Sequence, residues 1–171
     1  NKVKTFHHMM DERTQEEPRA WDLEGATHRA GFKIEELVEF VRAASPSEED
    51  FGQALSQLHQ ALDKAADKVA KKTPAQQDLI GQVDALIDTL YFTYGSFVLM
   101  GVDPERIFDI VHQANMGKIF PDGKAHFDPV THKILKPDDW EEKYAPEPAI
   151  KKELQRQLKA YERHKERNNT Q

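Results

Sequence analysis

The chain of 171 residues contains no cysteine, and that one absence removes disulfides, zinc–thiolate centres and cysteine nucleophiles together. It has no run of 18 apolar residues, so no membrane span is expected. Its first ten residues, Asn1 to Met10, lack the apolar core of a signal peptide. No Glu-x-x-His pair occurs, Asp109 and His112 being the nearest match, so the ligand pattern of a carboxylate diiron bundle is unmet. Positive charge is in the minority, with 24 Lys and Arg against 30 Asp and Glu and a formal net charge of −6. Such a balance argues against general nucleic-acid binding and leaves room for a local basic pocket that takes a phosphorylated small molecule. The expectation is a cytoplasmic protein of one domain, long enough to bury a core.

Helical signals fill most of the chain. A first long helix is expected from Leu23 to Ala44, stopped at Ser45-Pro46-Ser47. Ser47, with Glu48, Glu49 and Asp50 behind it, starts a second, whose Phe51, Leu55, Leu58, Leu62 and Val69 recur at three- and four-residue steps. Thr73-Pro74 caps a third helix that reaches Met100 and ends at Gly101. Asp103-Pro104 opens a fourth. After Gly117 the prolines and glycines Pro121, Gly123, Pro129 and Pro137 predict turns and a small β-hairpin near His126 to Leu135. From about Pro148 a charged helix carries a narrow stripe of Ile150, Leu154, Leu158 and Tyr161, which needs the bundle or a partner subunit to cover it.

Two helices carry acids in a suggestive pattern. Glu35, Glu36 and Glu39 lie on the first long helix, with Ile34, Leu37, Val38 and Val41 on roughly the opposite side. A solvated face is one reading of Glu36 and Glu39; Phe32 one turn before Glu36 and Phe40 one turn after it favour a pocket lining instead. On the third helix Asp88 sits within a run from Leu86 to Met100 that is apolar or aromatic almost throughout, and Asp84 is one turn before it. A helix apolar nearly all round is expected to be central, and a carboxylate buried there needs a cation. An Arg or Lys could supply it. Four carboxylates on two helices are hard oxygen donors, however, and point to Mg²⁺, with Mn²⁺ as the alternative, and to phosphate chemistry. Asn115 and Lys118, three apart at the end of the fourth helix, can present an amide and an ammonium to one phosphate, although a lysine there also complements the helix dipole.

In this order the residues resemble the MazG-like superfamily of all-α NTP pyrophosphohydrolases, whose signature is EExxE on one helix and ExxD on a later one. Glu35, Glu36 and Glu39 match the first half and Asp88 the final Asp, while Ala85 stands where the later acid is usual and Asp84 lies one position earlier. The string Asp84 to Tyr91 with Thr93-Tyr94-Gly95, and Asn115-Met116-Gly117-Lys118 followed by Asp122-Gly123-Lys124 and Lys133 to Pro137, resemble the phosphoribosyl-ATP pyrophosphohydrolase-like branch. The resemblance spans Phe6 to Trp140. It implies an all-α bundle of four to five helices with a short turn-rich or β-hairpin segment before a C-terminal helix. Residues 1–120 form the helical pyrophosphohydrolase core, and 121–171 the turn-rich segment and last helix of the same domain.

The resemblance further implies a homodimer or dimer of dimers, and Mg²⁺ held by Glu36, Glu39 and Asp88 with Asp84 as fourth ligand. Glu35 then stands behind the ligands or positions the attacking water, and Asn115 and Lys118 face the nucleotide. The activity implied is cleavage between the α- and β-phosphates of a (d)NTP or related nucleotide, giving a monophosphate and pyrophosphate. Phe32, Phe40 and Tyr91 are candidates for base recognition, with ordinary packing as their other reading; His7 and His8, near Phe6, either border the pocket or belong to a mobile terminus without a role, the second being the expectation. A non-catalytic helical module that binds metal or nucleotide is the competing expectation. No nucleic-acid or membrane partner is expected.

Overall fold

The computed structural model describes residues 1–11, 14–73, 78–130 and 133–169. Among the described residues seven helices follow in order: α1 (Lys2–Met10), α2 (Leu23–Ala44), α3 (Glu48–Val69), α4 (Leu79–Met100), α5 (Glu105–Met116), α6 (Trp140–Tyr144) and α7 (Glu147–Asn168). The described residues hold no β-strand, and none of their helices is long and apolar enough to cross a membrane. The chain divides into two compact units, residues 17–86 and residues 1–16 with 87–171. The stretch 1–120 expected as one core is thus shared between them, and 121–171 lies wholly in the second.

In the unit of residues 17–86, α2 and α3 pack as a helical hairpin. Asp22 caps α2 by accepting from the Gly25 amide at 2.8 Å, and Ser47 caps α3 by accepting from Asp50 at 3.1 Å, each satisfying a donor that the first turn leaves open. Arg42 spans the turn between them, paired with Glu48 and 4.9 Å over the Phe51 ring. α4 starts at Asp78, whose carboxylate accepts from the Gly81 amide at 3.0 Å. The expected cap at Thr73-Pro74 falls partly on 74–77, outside the described residues. One turn on, Gln82 fixes the approach to α2, accepting from Trp21 N at 2.8 Å and donating to Trp21 O at 3.0 Å.

In the other unit α5 is the hub, packed by α1 and by α7. α1 is a docked helix rather than the mobile terminus expected around His7 and His8; it buries Met10 and joins α5 through a Lys2–Asp109 ion pair. α7 is held at its first half. Glu153, only 7% exposed, accepts a two-pronged pair of bonds from Arg156 at 2.8 and 2.6 Å. Gln157 beside it bonds the backbone N and O of Asp103 at 3.0 and 2.9 Å. The bonds from Arg156 and then Gln157 hold the Glu153 carboxyl down at about 2. Among the described residues the expected hairpin comes down to one antiparallel bridge, Phe127 to Ile134, flanked by backbone bonds from Asp128 N to Lys133 O at 2.9 Å and from Leu135 N to His126 O at 2.8 Å; residues 131–132 within it lie outside the described residues.

α4, expected to be central, is exposed within its own chain. Tyr91 is 77% and Leu99 91% open to solvent, and Ile87, Leu90, Phe92 and Val98 are all exposed. Among the described residues the buried apolar side chains are Met10, Ala114 and Trp140.

Candidate functional site

On α2 the helical repeat puts Arg29, Phe32, Lys33, Glu36, Glu39 and Phe40 within about 60° of Glu36, along one stripe. Glu36 and Glu39 are exposed, and among the described residues neither meets a Lys, Arg or His partner. Phe32 is engaged locally: His28 lies edge-on to it at 4.8 Å, and the Arg29 guanidinium is 5.4 Å from its centroid. Lys33 curls back, its Nζ donating to the Arg29 carbonyl at 3.0 Å. Partial burial, then the charge of Arg29, pull the Lys33 ammonium below its usual pKa. Phe40 and Tyr91 are exposed, not packed into a core.

Asp84 and Asp88 are one turn apart on α4, also exposed and also without a cationic partner among the described residues. The ion-pair reading of Asp88 thus finds no Arg or Lys there. The burial that was to force a cation on Asp88 is absent in the single chain too, because most of α4, Asp88 included, is exposed. Glu35, Glu36, Glu39 and Asp84 belong to the unit of residues 17–86, and Asp88 to the other. Among the described residues no three His, Asp or Glu side chains converge as a metal cluster; the acids stand as two pairs, each on its own helix. Their chemistry fits a hard divalent ion, since all four are oxygen donors that meet no cationic side chain among the described residues.

At the end of α5 the structure does bring Asn115 and Lys118 together. Lys118 Nζ donates to Asn115 Oδ1 at 2.8 Å, and both side chains are half-buried. Two residues that the helical periodicity did not single out hold this turn in place. Trp140, buried, donates from Nε1 to the Ala114 carbonyl at 2.8 Å. Tyr144 lies flat enough on Gly117 that a Cβ there would sit 2.3 Å from its ring, so glycine is required for space and not for its backbone angle. The sequence signal for them was a tryptophan and a tyrosine in an otherwise charged, turn-rich stretch. Beyond Lys118, Asp122 accepts from the Lys124 amide at 3.0 Å and bonds His126 Nε2 at 2.8 Å. The His126 bond, foremost, lowers the Asp122 carboxyl below its ordinary range, and the His126 ring stacks 4.2 Å from Phe120.

Comparison with known proteins identifies the family. Residues 3–115 match the model of the phosphoribosyl-ATP pyrophosphohydrolase family. The crystal structure of a candidate NTP pyrophosphohydrolase from Exiguobacterium sp. 255-15 is similar, with 40% identity, a TM-score of 0.85, and coverage of 94% of this chain and 95% of that one. No curated protein matches the sequence. The chain belongs to the phosphoribosyl-ATP pyrophosphohydrolase family, within the MazG-like pyrophosphohydrolases.

Proposed function

We propose that the protein is a Mg²⁺-dependent nucleotide pyrophosphohydrolase that cuts the α–β phosphoanhydride of a (d)NTP or related nucleotide, releasing a monophosphate and pyrophosphate. One observation carries the reading: four carboxylates at helical spacing on α2 and α4, none with a cationic side chain beside it among the described residues. Glu36, Glu39, Asp84 and Asp88 would hold Mg²⁺, or Mn²⁺ in its place. When bound, the ion neutralises phosphate charge and makes water a stronger acid. Glu35 positions the attacking water and takes its proton as the oxygen bonds to the α-phosphorus; the bond from that phosphorus to the β-bridging oxygen breaks, and pyrophosphate departs with the electron pair. Asn115 and Lys118 bind the substrate. The likeness to the candidate NTP pyrophosphohydrolase of Exiguobacterium supports an NTP, and membership of the phosphoribosyl-ATP pyrophosphohydrolase family supports phosphoribosyl-ATP.

The working form is a homodimer or dimer of dimers in the cytoplasm. The chain exposes 14,575 Å². Two separate folded units of its 70 and 101 residues would together expose about 10,000 Å². The excess is above the roughly 2,000 Å² at which permanent interfaces begin, and exposed α4 is its most apolar part.

The test is a product assay over canonical, deoxy and modified NTPs with phosphoribosyl-ATP included. Mg²⁺-dependent pyrophosphate from at least one of them is expected, and release of single orthophosphates would overturn the reading. Ala85, in place of the usual acid, favours a second reading, binding without turnover; nucleotide binding with no product across the whole panel would establish it.

A further inference from the structure

The stripe on α2 that carries Glu36 and Glu39 begins with two cations in an otherwise acidic chain. Arg29 and Lys33 are one turn apart, both half-buried, and among the described residues neither pairs with an Asp or Glu. Like charges at this spacing repel along a helix. Lys33 has Glu36 one turn ahead, a spacing that ordinarily makes an ion pair, yet its ammonium turns the other way, to the Arg29 carbonyl at 3.0 Å. Arg29 is steadied by the Phe32 ring at 5.4 Å. The result is a concentrated positive patch left open next to a concentrated negative one.

We propose that Arg29 and Lys33 seat the β- and γ-phosphates of the substrate and, after cleavage, the leaving pyrophosphate. This assignment rests on the pyrophosphohydrolase reading given above. Seven residues separate Arg29 from Glu36, about 10 Å along the helix, so a polyphosphate whose α-phosphate lies at the acids can run back along the stripe. The planar guanidinium gives two parallel donors to a phosphate and the ammonium a compact charge. The pair selects for phosphate chain length: a nucleoside monophosphate does not reach it, and a triphosphate does.

Inorganic pyrophosphate and a nucleoside monophosphate, each titrated calorimetrically into the full chain with Mg²⁺ present, separate the possibilities. Arg29→Gln and Lys33→Gln are each expected to weaken pyrophosphate binding about tenfold or more and to leave monophosphate binding unchanged, while Arg29→Lys and Lys33→Arg retain most of it. In turnover, KM for the triphosphate rises more than kcat falls. Equal weakening of both ligands, or pyrophosphate affinity indifferent to the variants, overturns the assignment. Should either variant fail to fold, ¹⁵N resonances of Arg29 and Lys33 in the unaltered protein must shift on adding pyrophosphate; unshifted resonances also overturn it. A protein that binds pyrophosphate here but turns over no nucleotide would contradict the catalytic reading alone.

Discussion

Replacing Gly117 with alanine puts a methyl group where the Tyr144 ring already is. The added Cβ would lie 2.3 Å from Cγ, 2.6 Å from Cδ2 and 2.7 Å from Cδ1 of Tyr144, all inside any tolerable carbon–carbon contact. Cγ, the ring atom nearest the backbone, is the closest of the three, so relief needs the whole ring to turn or α6 to shift, and α6 is anchored by buried Trp140, bonded to Ala114 three residues before Gly117. Overpacking of this kind costs about 1–3 kcal/mol. For a chain of this length that is a fall in Tm of roughly 2–12 °C, measured by calorimetry at fixed protein concentration because assembly shifts the midpoint. The same displacement moves Lys118, so KM for nucleotide should rise. The decisive control is Tyr144→Ala combined with Gly117→Ala. The double variant should be more stable than the sum of the two losses predicts, with a coupling of about 1 kcal/mol or more. Strict additivity, or a Gly117→Ala protein as stable as the parent, would refute the close-contact account.

Two other outcomes follow from the geometry. The Glu153 carboxyl, held at about 2 from an ordinary 4.5, stabilises the docked α7 above pH 4.5 and loses that contribution as the pH falls toward 2; Glu153→Gln should flatten the acid dependence of unfolding across this window, and parallel curves would contradict the assignment. Leu90→Glu, placing a charge on the open apolar face of α4, should convert the proposed dimer or dimer of dimers to smaller species in sedimentation, and an unchanged mass would remove α4 from the proposed interface.

How much was legible in the sequence depended on whether the information was local. α2 from Leu23 to Ala44 and the Ser47 start of α3 follow from caps and periodicity, and the helical spacing of Glu36, Glu39, Asp84 and Asp88 needs only the 3.6-residue repeat. α1 was missed because its sparse apolar positions gain their burial only by docking on α5. α6, of five residues, is too short to show a period at all. The α4 expectation is instructive: its apolar composition was read as burial inside one chain, whereas within the chain the helix is exposed. Composition states that a surface must be covered but not by what. The four acids could be placed on helices from the sequence, and among the described residues the single chain keeps them as two pairs, each on its own helix.

The central claim is that water attacks the α-phosphorus and pyrophosphate leaves. Turnover of an accepted nucleotide in ¹⁸O-labelled water, with Mg²⁺, tests it most directly. The account predicts one labelled oxygen in the nucleoside monophosphate and none in the pyrophosphate, with Glu39→Gln and Asp88→Asn producing neither product at an appreciable rate. Label in pyrophosphate, or in single orthophosphate, would contradict it.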